Sequence, residues 1–371
     1  MSDTIQAEKT GKLGFSFVRL PRKGDAFDIE QTKKMTDAFL ESGGTYFDAA
    51  NSYEGTEAAL CESVIKRHPR GNVQIATKLP LELARTREGV KKLFETSLER
   101  LGTDYVDFYL LQGINYKDSR KFEQLGAWAY LAEQKAKGLI RHIGFSFRGT
   151  YEALNKILTA FPEAEFAQLH INFLDWDNSK IQSRRVYETA RKHNIPIIVM
   201  GALKGGLLAS ETSPVAGLLR DADPRVSMAS WAFRFAAQLD GVFVTLSGMS
   251  SLEQMTDNIA TFKNLKTLSA DEQAILDKAV GIINAAPRID CSGCRHCMED
   301  CPLDLRIPEL ISLYNYYTTY NTTINLDHDY SWLTRDTGKA GDCAGCRVCE
   351  GSCPKYIKIA EAIEKVSDLF D

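Results

Sequence analysis

The sequence predicts an α/β protein: a TIM-type (β/α)8 barrel followed by a small, mainly helical domain rich in cysteine. In residues 1–285, short runs of β-branched and aromatic residues alternate with longer segments of helical spacing, a pattern typical of repeated βα units around a parallel sheet. Eight of the nine cysteines fall between Cys291 and Cys353. The 371 residues accommodate a barrel of roughly 250 residues and a second domain. We therefore expect two domains, residues 1–285 and residues 286–371.

Eight segments have the length and composition of strands. Each is a run of four to eight residues in which β-branched, aromatic or other apolar side chains dominate. The predicted strands are residues 12–19, 45–48, 73–77, 106–111, 141–145, 166–171, 196–200 and 242–246.

The segments between these strands have helical spacing. In residues 56–67, for example, Leu60, Val64 and Ile65 share one face, and Asn51 or Ser52 is a candidate N-cap. The predicted helices cover residues 29–42, 56–67, 87–101, 125–137, 150–160, 179–193, 227–239 and 269–283. A doubly wound open sheet is the alternative, but no strand runs directly into a Gly-x-Gly-x-x-Gly turn. Residues 313–329 are aromatic and polar without a clear period, so element bounds are not predicted there, although the 41-residue gap between the cysteine motifs suggests helices.

Net charge and hydropathy disfavour two classes of binding partner, nucleic acids and membranes. Lys and Arg number 45 against 49 Asp and Glu, and the resulting net charge of −4 disfavours a nucleic-acid binder. No run approaches the ~18 apolar residues of a membrane span, and the N-terminal residues lack an apolar segment behind a basic start. We expect a cytoplasmic protein whose partners include neither a membrane nor nucleic acid.

The cysteines form two copies of one motif, C-x2-C-x2-C-x3-C-P. Three thiolates at this spacing wrap three irons of a [4Fe-4S] cubane, while the fourth, next to proline, reaches the other cluster. The sequence therefore predicts two 4Fe-4S clusters. One is held by Cys291, Cys294, Cys297 and Cys353, and the other by Cys343, Cys346, Cys349 and Cys301. The alternatives are a disulfide framework, which suits small secreted chains, and a pair of zinc sites. Cys61, inside a predicted helix, is expected to be a buried apolar residue.

Four polar residues fall at or just after predicted strand ends. They are Asp48, Tyr53, Lys78 and Gln112, and in a TIM barrel the carboxyl ends of the strands form the active-site face. A lysine ammonium held by a carboxylate makes a neighbouring phenol a better proton donor. Taken singly, each residue has a plain structural explanation: a charge near a helix, a packed ring, a solvated cation. Together at consecutive strand ends they indicate a catalytic site.

The segments around these residues resemble the aldo-keto reductase family. The resemblance rests on Asp48-Ala-Ala-Asn-Ser-Tyr53, Ala76-Thr-Lys78 and Phe108-Tyr-Leu-Leu-Gln112, and continues through Gly144-Phe-Ser146, Gln168-Leu-His-Ile-Asn172 and Val199-Met-Gly-Ala-Leu-Lys-Gly-Gly206. With the cysteine motifs, the chain is similar to the branch of that family that has a C-terminal two-cluster, ferredoxin-like domain.

The resemblance implies hydride transfer from a nicotinamide, with Tyr53 as the acid. Asp48 and Lys78 would be the pair that adjusts the acidity of the tyrosine. Gln112 stands where the family has histidine. A glutamine amide can donate to a carbonyl oxygen but cannot titrate. Two explanations are open: a changed substrate such as a conjugated carbonyl compound, or a weakened site.

The resemblance also implies the positions of the cofactor contacts. Ser146 and Gln168 hold the nicotinamide amide, Met200 contacts its ring, and Gly201, Leu203 and Gly205 lie along the pyrophosphate. The Lys204 ammonium is a candidate for an additional positive charge beside the pyrophosphate. Ser250, Gln254 and Asn258 face the adenosine half, where no arginine or lysine stands in residues 248–254, so the choice between NADPH and NADH is open.

The function predicted from these residues is an NAD(P)H-dependent oxidoreductase that reduces a carbonyl or conjugated carbonyl substrate, with two 4Fe-4S clusters for electron transfer or structure. The alternative is a non-catalytic iron-sulfur electron carrier or partner-binding protein on a barrel scaffold. A small-molecule substrate is expected, and a redox partner protein is compatible with the clusters. The sequence leaves the substrate and the oligomeric state open.

Overall fold

Eight parallel strands close into a barrel in the computed structural model, which describes residues 12–80, 82–114, 121–179, 181–323 and 326–371. In barrel order the strands are β1 (Leu13–Ser16), β4 (Tyr46–Asp48), β5 (Gln74–Pro80), β6 (Val106–Ile114), β7 (Ile140–Phe147), β8 (Phe166–His170), β9 (Ile197–Met200) and β10 (Val242–Gly248). A short antiparallel pair, β2 (Arg22–Lys23) and β3 (Ala26–Phe27), follows β1. The predicted barrel is confirmed.

The strand register brings the predicted catalytic residues to one end of the barrel. Ser16 pairs with Asp48 across β1 and β4, and Asp48 pairs with Ala76 across β4 and β5. Lys78 lies two residues further along β5, opposite Leu110. The carboxyl ends of these strands therefore form a shared face.

Large side chains fill the inside of the barrel. Tyr46, Phe108, Phe166 and Phe243 pack there, with the ring centroids of Tyr46 and Phe108 5.0 Å apart and those of Phe108 and Phe166 5.3 Å apart. Burying each such ring contributes roughly 1.5–3 kcal/mol. Because the interior is a packed core, a ligand must bind at the mouth of the barrel rather than inside it.

Helices follow most of the strands, as the spacing predicts. The helices that accompany the barrel strands are α1 (Ile29–Glu41), α2 (Thr56–Leu60), α3 (Arg87–Leu101), α4 (Ala127–Ala136), α5 (Tyr151–Ala160), α6 (Ser183–Lys192), α7 (Ala216–Ala222), α8 (Met228–Ala237) and α9 (Leu252–Lys263). Thr86 and Ser251 cap α3 and α9 through their hydroxyls, which satisfies backbone N–H groups at the first turn.

Two predicted helices differ from the structure for local reasons. The segment predicted as helix over residues 56–67 is α-helical only to Leu60, after which Cys61–Ile65 form a π-helical turn. The helix predicted over residues 179–193 begins at Ser183, because Gln182 has a left-handed backbone with φ of 58°. Helical spacing of side chains does not reveal such backbone changes.

The cysteine motifs belong to a set of helices at the C-terminal end. These are α10 (Ala270–Asn284), α11 (His296–Glu299), α12 (Ile307–Tyr320), α13 (Leu326–Leu333), α14 (Val348–Gly351) and α15 (Ile359–Phe370). The aromatic segment without a clear period therefore lies largely in α12 and α13, which agrees with the helices expected between the two motifs. Buried Leu310, Ile311 and Ile363 form part of an apolar core shared by these helices.

The two motifs are also structural repeats. A short helix begins at the sixth residue of each motif, and the longer helices α12 and α15 each begin six residues after the last cysteine of their motif. Arg295 and Arg347, at equivalent positions, both adopt left-handed backbones, with φ of 70° and 59°. Repetition of the spacing thus reflects repetition of the backbone path.

The chain divides into two compact units. Residues 12–205 and 229–269 belong to the first within the described ranges, and residues 206–228 and 270–371 to the second. The predicted domain boundary at residues 285/286 stays a prediction. Among the residues that the structure describes, no helix is long and apolar enough to cross a membrane.

Candidate active site and cluster cavities

Asp48 and Lys78 form a buried ion pair at the carboxyl ends of β4 and β5. Lys78 Nζ donates to Asp48 Oδ1 over 2.5 Å and to the carbonyl oxygen of Ala49 over 2.7 Å. The second carboxylate oxygen of Asp48 accepts a hydrogen bond from Ser16 Oγ at 3.1 Å. Both charged side chains are only 2% exposed, so the charges are held by each other and by neighbouring polar groups.

Tyr53 lies beside this ion pair. The Lys78 ammonium is 5.6 Å from the centre of the Tyr53 ring. The loop that positions the tyrosine is folded on itself, since Tyr53 N donates to Ala50 O at 3.0 Å and Thr56 Oγ1 donates to Tyr53 O at 2.8 Å. The structure therefore brings together the three residues that the sequence placed at separate strand ends.

Gln112 is held in one orientation by a residue that the sequence analysis considered only as a helix cap. Ser52 Oγ donates to Gln112 Oε1 over 2.9 Å. With its oxygen engaged, the amide of Gln112 has its NH2 group left for another acceptor. A donor, rather than a titrating group, thus occupies this side of the site.

A cavity of about 530 Å³ opens over these residues. Tyr53, Lys78 and Gln112 line it together with Ser146, Gln168 and Met200. The remaining lining residues are Glu82, Gly113, Lys121 and Arg148. Catalytic and nicotinamide-side candidates therefore share one cavity.

Ser146 and Gln168 lie at the carboxyl ends of β7 and β8. Ser146 Oγ accepts a hydrogen bond from Gly113 N at 2.8 Å, and its own hydroxyl proton is available to a ligand. Gln168 Nε2 contacts Met200 Sδ at 3.4 Å, while the buried Gln168 Oε1 has no hydrogen-bond partner among the described residues. One donor and one orphaned acceptor fit a carboxamide, the group that a nicotinamide presents.

The loop after β9 has an unusual backbone. Gly201, Lys204, Gly205 and Gly206 all have positive φ, at 68°, 48°, 74° and 103°. Lys204 N donates to Gly201 O at 2.9 Å, which closes a tight turn at the start of the loop. Gly201 is also fixed by packing, because a Cβ atom there would lie 2.4 Å from His170 Nε2.

Lys204, the candidate for a positive charge beside the pyrophosphate, is paired with an acidic side chain, and its contact with a phosphate stays a prediction. Lys204 Nζ is 2.7 Å from both carboxylate oxygens of Asp175, whose side chain is 2% exposed. Asp175 Oδ2 also accepts from Asn172 Nδ2 at 2.9 Å, and Asn172 Nδ2 lies 3.2 Å from Gly201 O. Lys204 therefore anchors the loop to the loop after β8.

His170 lies under the same loop. Burial lowers the pKa of its imidazole, and the nearby Arg148 and Lys204 lower it further, against the opposing effect of Asp175. The ring is therefore expected to be neutral at neutral pH, as suits a packing residue beside a glycine.

The candidate adenosine contacts lie at the start of α9. Gln254 Oε1 accepts from Ser250 N at 2.8 Å, so these two exposed residues are joined in a helix-capping arrangement. Asn258 is buried and donates to Ser247 Oγ over 3.1 Å, which ties α9 to the end of β10. Leu203 is half-buried in the loop after β9.

The eight C-terminal cysteines surround two cavities, and each cavity takes three cysteines from one motif and the last cysteine of the other. The first is lined by Cys291, Cys294, Cys297 and Cys353. The second is lined by Cys301, Cys343, Cys346 and Cys349. Ile359 lines both. These groups are the two ligand sets that the motif predicts.

The donor sets fit a cluster better than a single ion. Zinc holds four thiolates at about 2.3 Å, whereas within the described parts of the chain no three such side chains lie close enough to share one ion. Burial raises the pKa of Cys297 and of Cys349 to about 11. These thiols must lose their protons to ligate iron, so the metal supplies the charge that stabilises the thiolates. Cys61 is buried in the π-helical turn, as expected.

The roles of two residues of the site were not predicted from the sequence. Ser52 lies in the segment around Tyr53, but nothing in that segment indicates its bond to Gln112, and Asp175, the partner of Lys204, belongs to no motif. Asp175 lies three residues after Asn172, in a segment with no regular periodicity. An acidic residue followed far downstream by a lysine gives no sequence signal that the two are paired.

Comparison with known proteins agrees with this architecture. Residues 12–280 match the model described as Aldo/keto reductase family, and residues 290–358 match the model described as 4Fe-4S dicluster domain. A barrel with this site belongs to the class of oxidoreductases built on the (β/α)8 fold. The chain belongs to the aldo/keto reductase family and has a 4Fe-4S dicluster domain after its barrel, which confirms the family branch predicted from the sequence.

Each of the similar proteins described below matches 68–72% of this chain. An aldo-keto reductase of Mycolicibacterium vanbaalenii is 29% identical over 255 residues, 68% of this chain and 85% of that protein. The uncharacterized oxidoreductase YqkF of Bacillus subtilis is 25% identical over 297 residues, 70% of this chain and 93% of that protein. Among solved structures, aldo-keto reductase AKR11C1 from Bacillus halodurans in its holo form has a TM-score of 0.58 at 23% identity, covering 72% of this chain and 91% of that one. An aldo-keto reductase from Klebsiella pneumoniae, solved with NADPH, has a TM-score of 0.59 at 20% identity, covering 72% and 89%.

Proposed function

We propose that this protein is an NAD(P)H-dependent oxidoreductase that reduces a carbonyl or conjugated carbonyl compound at the mouth of the barrel. One observation supports this above the others: the buried Asp48–Lys78 pair lies beside Tyr53, and Lys78 and Tyr53 line one cavity. Burying two charges costs free energy unless their mutual attraction compensates for it, so a buried ion pair beside a cavity points to a function. A phenol next to an ammonium at a cavity wall is suited to give up a proton.

The chain's own residues handle the proton. A bound nicotinamide would supply a hydride, with its electron pair, to an electrophilic carbon of the substrate. Tyr53 gives its hydroxyl proton to the substrate oxygen, so a carbonyl compound becomes an alcohol and the oxidised cofactor departs. The tyrosinate left behind is stabilised by the Lys78 ammonium until water returns the proton. Asp48 holds that ammonium in place.

Gln112 positions the substrate oxygen. Its Oε1 is engaged by Ser52, so its NH2 group donates to the substrate. Since an amide carries no titrating proton, Gln112 polarises and orients but does not exchange protons. This arrangement also suits a conjugated carbonyl compound. Hydride would add to the carbon β to the carbonyl group, Tyr53 would protonate the oxygen to give the enol, and the enol would tautomerise to the saturated carbonyl compound.

The nicotinamide would be held by complementary polar groups. Ser146 has a hydroxyl proton for the carboxamide oxygen, and the orphaned Gln168 Oε1 accepts from the carboxamide NH2. Met200, half-buried at the cavity wall, offers a soft contact to the ring. The phosphates would lie over the loop after β9, where Gly201, Gly205 and Gly206 have no side chains that would obstruct close approach.

The test is Tyr53→Phe, with Tyr151→Phe as a matched control on the outside of the barrel. We expect kcat/KM for NADPH- or NADH-dependent reduction of 4-nitrobenzaldehyde or 2-cyclohexenone to fall at least ~100-fold in Tyr53→Phe and to stay unchanged in the control. NADPH binding, measured by fluorescence, and iron content are expected to remain at wild-type levels. Equal turnover in Tyr53→Phe and wild type would exclude this mechanism.

A further inference from the structure

Charged side chains are distributed unevenly around the mouth of the active-site cavity. Glu82 lies in the loop after β5, Lys121 lies between β6 and α4, and Arg148 directly follows β7. All three are exposed, and all three line the cavity of about 530 Å³. The two positive charges therefore stand on the β6 and β7 side of the mouth, and the negative charge stands on the β5 side.

The two cations are not neutralised by neighbouring acidic groups. Among the ion pairs of the described ranges, none includes Lys121 or Arg148. The third cation of the cavity, Lys78, differs because it is paired with Asp48. Cations that line a cavity raise the local concentration of anionic ligands, since the protein walls focus the field of the charges. The mouth of this cavity is therefore suited to an anionic group of a ligand.

The two cations lie next to the strand ends that orient the substrate. Gln112, the proposed donor to the substrate oxygen, belongs to β6, the strand that precedes Lys121. Gly113 N donates to Ser146 Oγ over 2.8 Å, and Ser146 stands two residues before Arg148. β6 and β7 are neighbours in the barrel. A substrate whose carbonyl oxygen meets Gln112 therefore has its other end near this part of the mouth.

We infer that the substrate carries a carboxylate, which Lys121 and Arg148 bind while the carbonyl group is reduced beside Tyr53. The inference rests on the proposed function, because it names the substrate class of the same cavity. A guanidinium binds carboxylate oxygens through paired N–H donors, and an ammonium adds a point charge on a flexible stem.

Glu82 determines the orientation and favours a singly charged group. Its carboxylate repels an anion from the β5 side of the mouth, so the anionic end of the substrate turns toward Lys121 and Arg148. Among the described residues at the mouth, two positive charges and one negative charge leave a single positive charge. A carboxylate matches that charge better than a phosphate ester, which carries up to two negative charges at neutral pH.

The experiment compares 4-carboxybenzaldehyde with 4-nitrobenzaldehyde, a neutral compound of similar shape, as substrates of anaerobically purified, cluster-loaded protein with NADPH or NADH. The measured quantity is kcat/KM for the carboxylate divided by kcat/KM for the nitro compound. General effects on folding, nucleotide binding or hydride transfer cancel in this ratio. We expect the ratio to fall about 3- to 30-fold in Lys121→Ala and in Arg148→Ala, because each removes one charged donor to the carboxylate.

Three further variants check the assignment. Arg148→Lys keeps the charge and should reduce the ratio less than Arg148→Ala does. Glu82→Gln removes the repelling charge and should raise the ratio about 2- to 5-fold. Lys92→Ala removes an exposed cation from α3, away from the residues that line the cavity, and should leave the ratio at its wild-type value.

Wild-type ratios in both alanine variants would overturn the inference, and so would a wild-type protein that reduces 4-nitrobenzaldehyde but not 4-carboxybenzaldehyde. The dissociation constant of the nucleotide, measured by fluorescence, identifies one further contrary result. Weaker nucleotide binding by Arg148→Ala at an unchanged ratio would place the guanidinium at the cofactor instead of the substrate. Failure of the wild-type protein to reduce either aldehyde with either nucleotide would reject the proposed function itself.

Discussion

At the scale of single residues, the Asp48–Lys78 pair links stability with chemistry. Removing one partner of a buried ion pair leaves an uncompensated charge, whereas removing both leaves a neutral site. Without Lys78, the Asp48 carboxylate would retain only the Ser16 hydroxyl as a side-chain hydrogen-bond donor among the contacts described here. Comparing single and double substitutions therefore separates the effect of the ion pair on stability from its effect on catalysis.

We expect Lys78→Met to lower the free energy of unfolding by about 3–5 kcal/mol, because it strands the buried Asp48 carboxylate. The double variant Asp48→Asn/Lys78→Met should recover most of that loss, since neither charge remains. Turnover should stay low in both variants, because the ammonium beside Tyr53 is absent. Apparent melting temperatures and kcat/KM of the purified proteins give the comparison. Recovery of turnover in the double variant would show that Lys78 has only a structural role.

Residue positions along the strands were predictable, but their partners were not. Asp48, Tyr53, Lys78 and Gln112 were identified because strand ends converge in a barrel. The bond from Ser52 to Gln112 joins residues 60 apart in sequence, and the pair of Lys204 with Asp175 joins residues 29 apart. Each depends on the rotamers and loop paths of the folded chain, which composition and spacing do not encode.

At the scale of elements, the cysteine motifs define two cavities with exchanged fourth residues. Short helices α11 and α14 pack against each other, and α12 packs against α15. The repeat of backbone conformation makes the two halves equivalent, so each motif directs its last cysteine toward the other cavity. Exchange of the fourth ligand can be distinguished from local ligation by counting iron.

Exchanged ligation and local ligation by the last cysteine of each motif predict opposite iron contents for two double variants. With exchanged ligands, Cys291→Ala/Cys353→Ala removes two ligands of one cluster and should retain about four of about eight iron atoms per chain. Cys343→Ala/Cys353→Ala removes one ligand from each cluster and should lose iron from both. Iron and sulfide analysis after anaerobic purification makes the measurement, with Cys61→Ala as the control that retains wild-type iron. Local ligation within each motif predicts the reverse order of the two double variants.

Element boundaries were less predictable than element types. Apolar runs and helical spacing located the barrel strands and the helices between them, since both patterns reflect which side chains are buried. The π-helical turn at Cys61–Ile65 and the late start of α6 depend on backbone torsions instead. The aromatic stretch that includes Tyr316 and Tyr320 forms a helix although its side chains show no clear polar face, because its environment, rather than its periodicity, determines which residues are buried.

At the scale of the whole molecule, the chain combines a barrel suited to two-electron chemistry with a domain suited to one-electron chemistry. A nicotinamide passes two electrons together as a hydride, whereas a 4Fe-4S cluster passes one at a time. Exchange between them ordinarily needs a flavin or another carrier that can accept two electrons and release them singly. The two activities are therefore expected to run independently unless such a carrier is present.

We accordingly expect that NADPH added anaerobically to purified protein leaves the visible absorbance of the clusters unchanged, while dithionite, a one-electron donor, bleaches it. Nucleotide fluorescence recorded in the same titration shows that NADPH is bound throughout. The Cys291→Ala/Cys353→Ala variant serves as control, since dithionite should bleach a correspondingly smaller absorbance there. Bleaching of the wild-type clusters by NADPH alone would contradict this expectation and show that hydride equivalents enter the clusters directly, making barrel and clusters parts of one electron-transfer path.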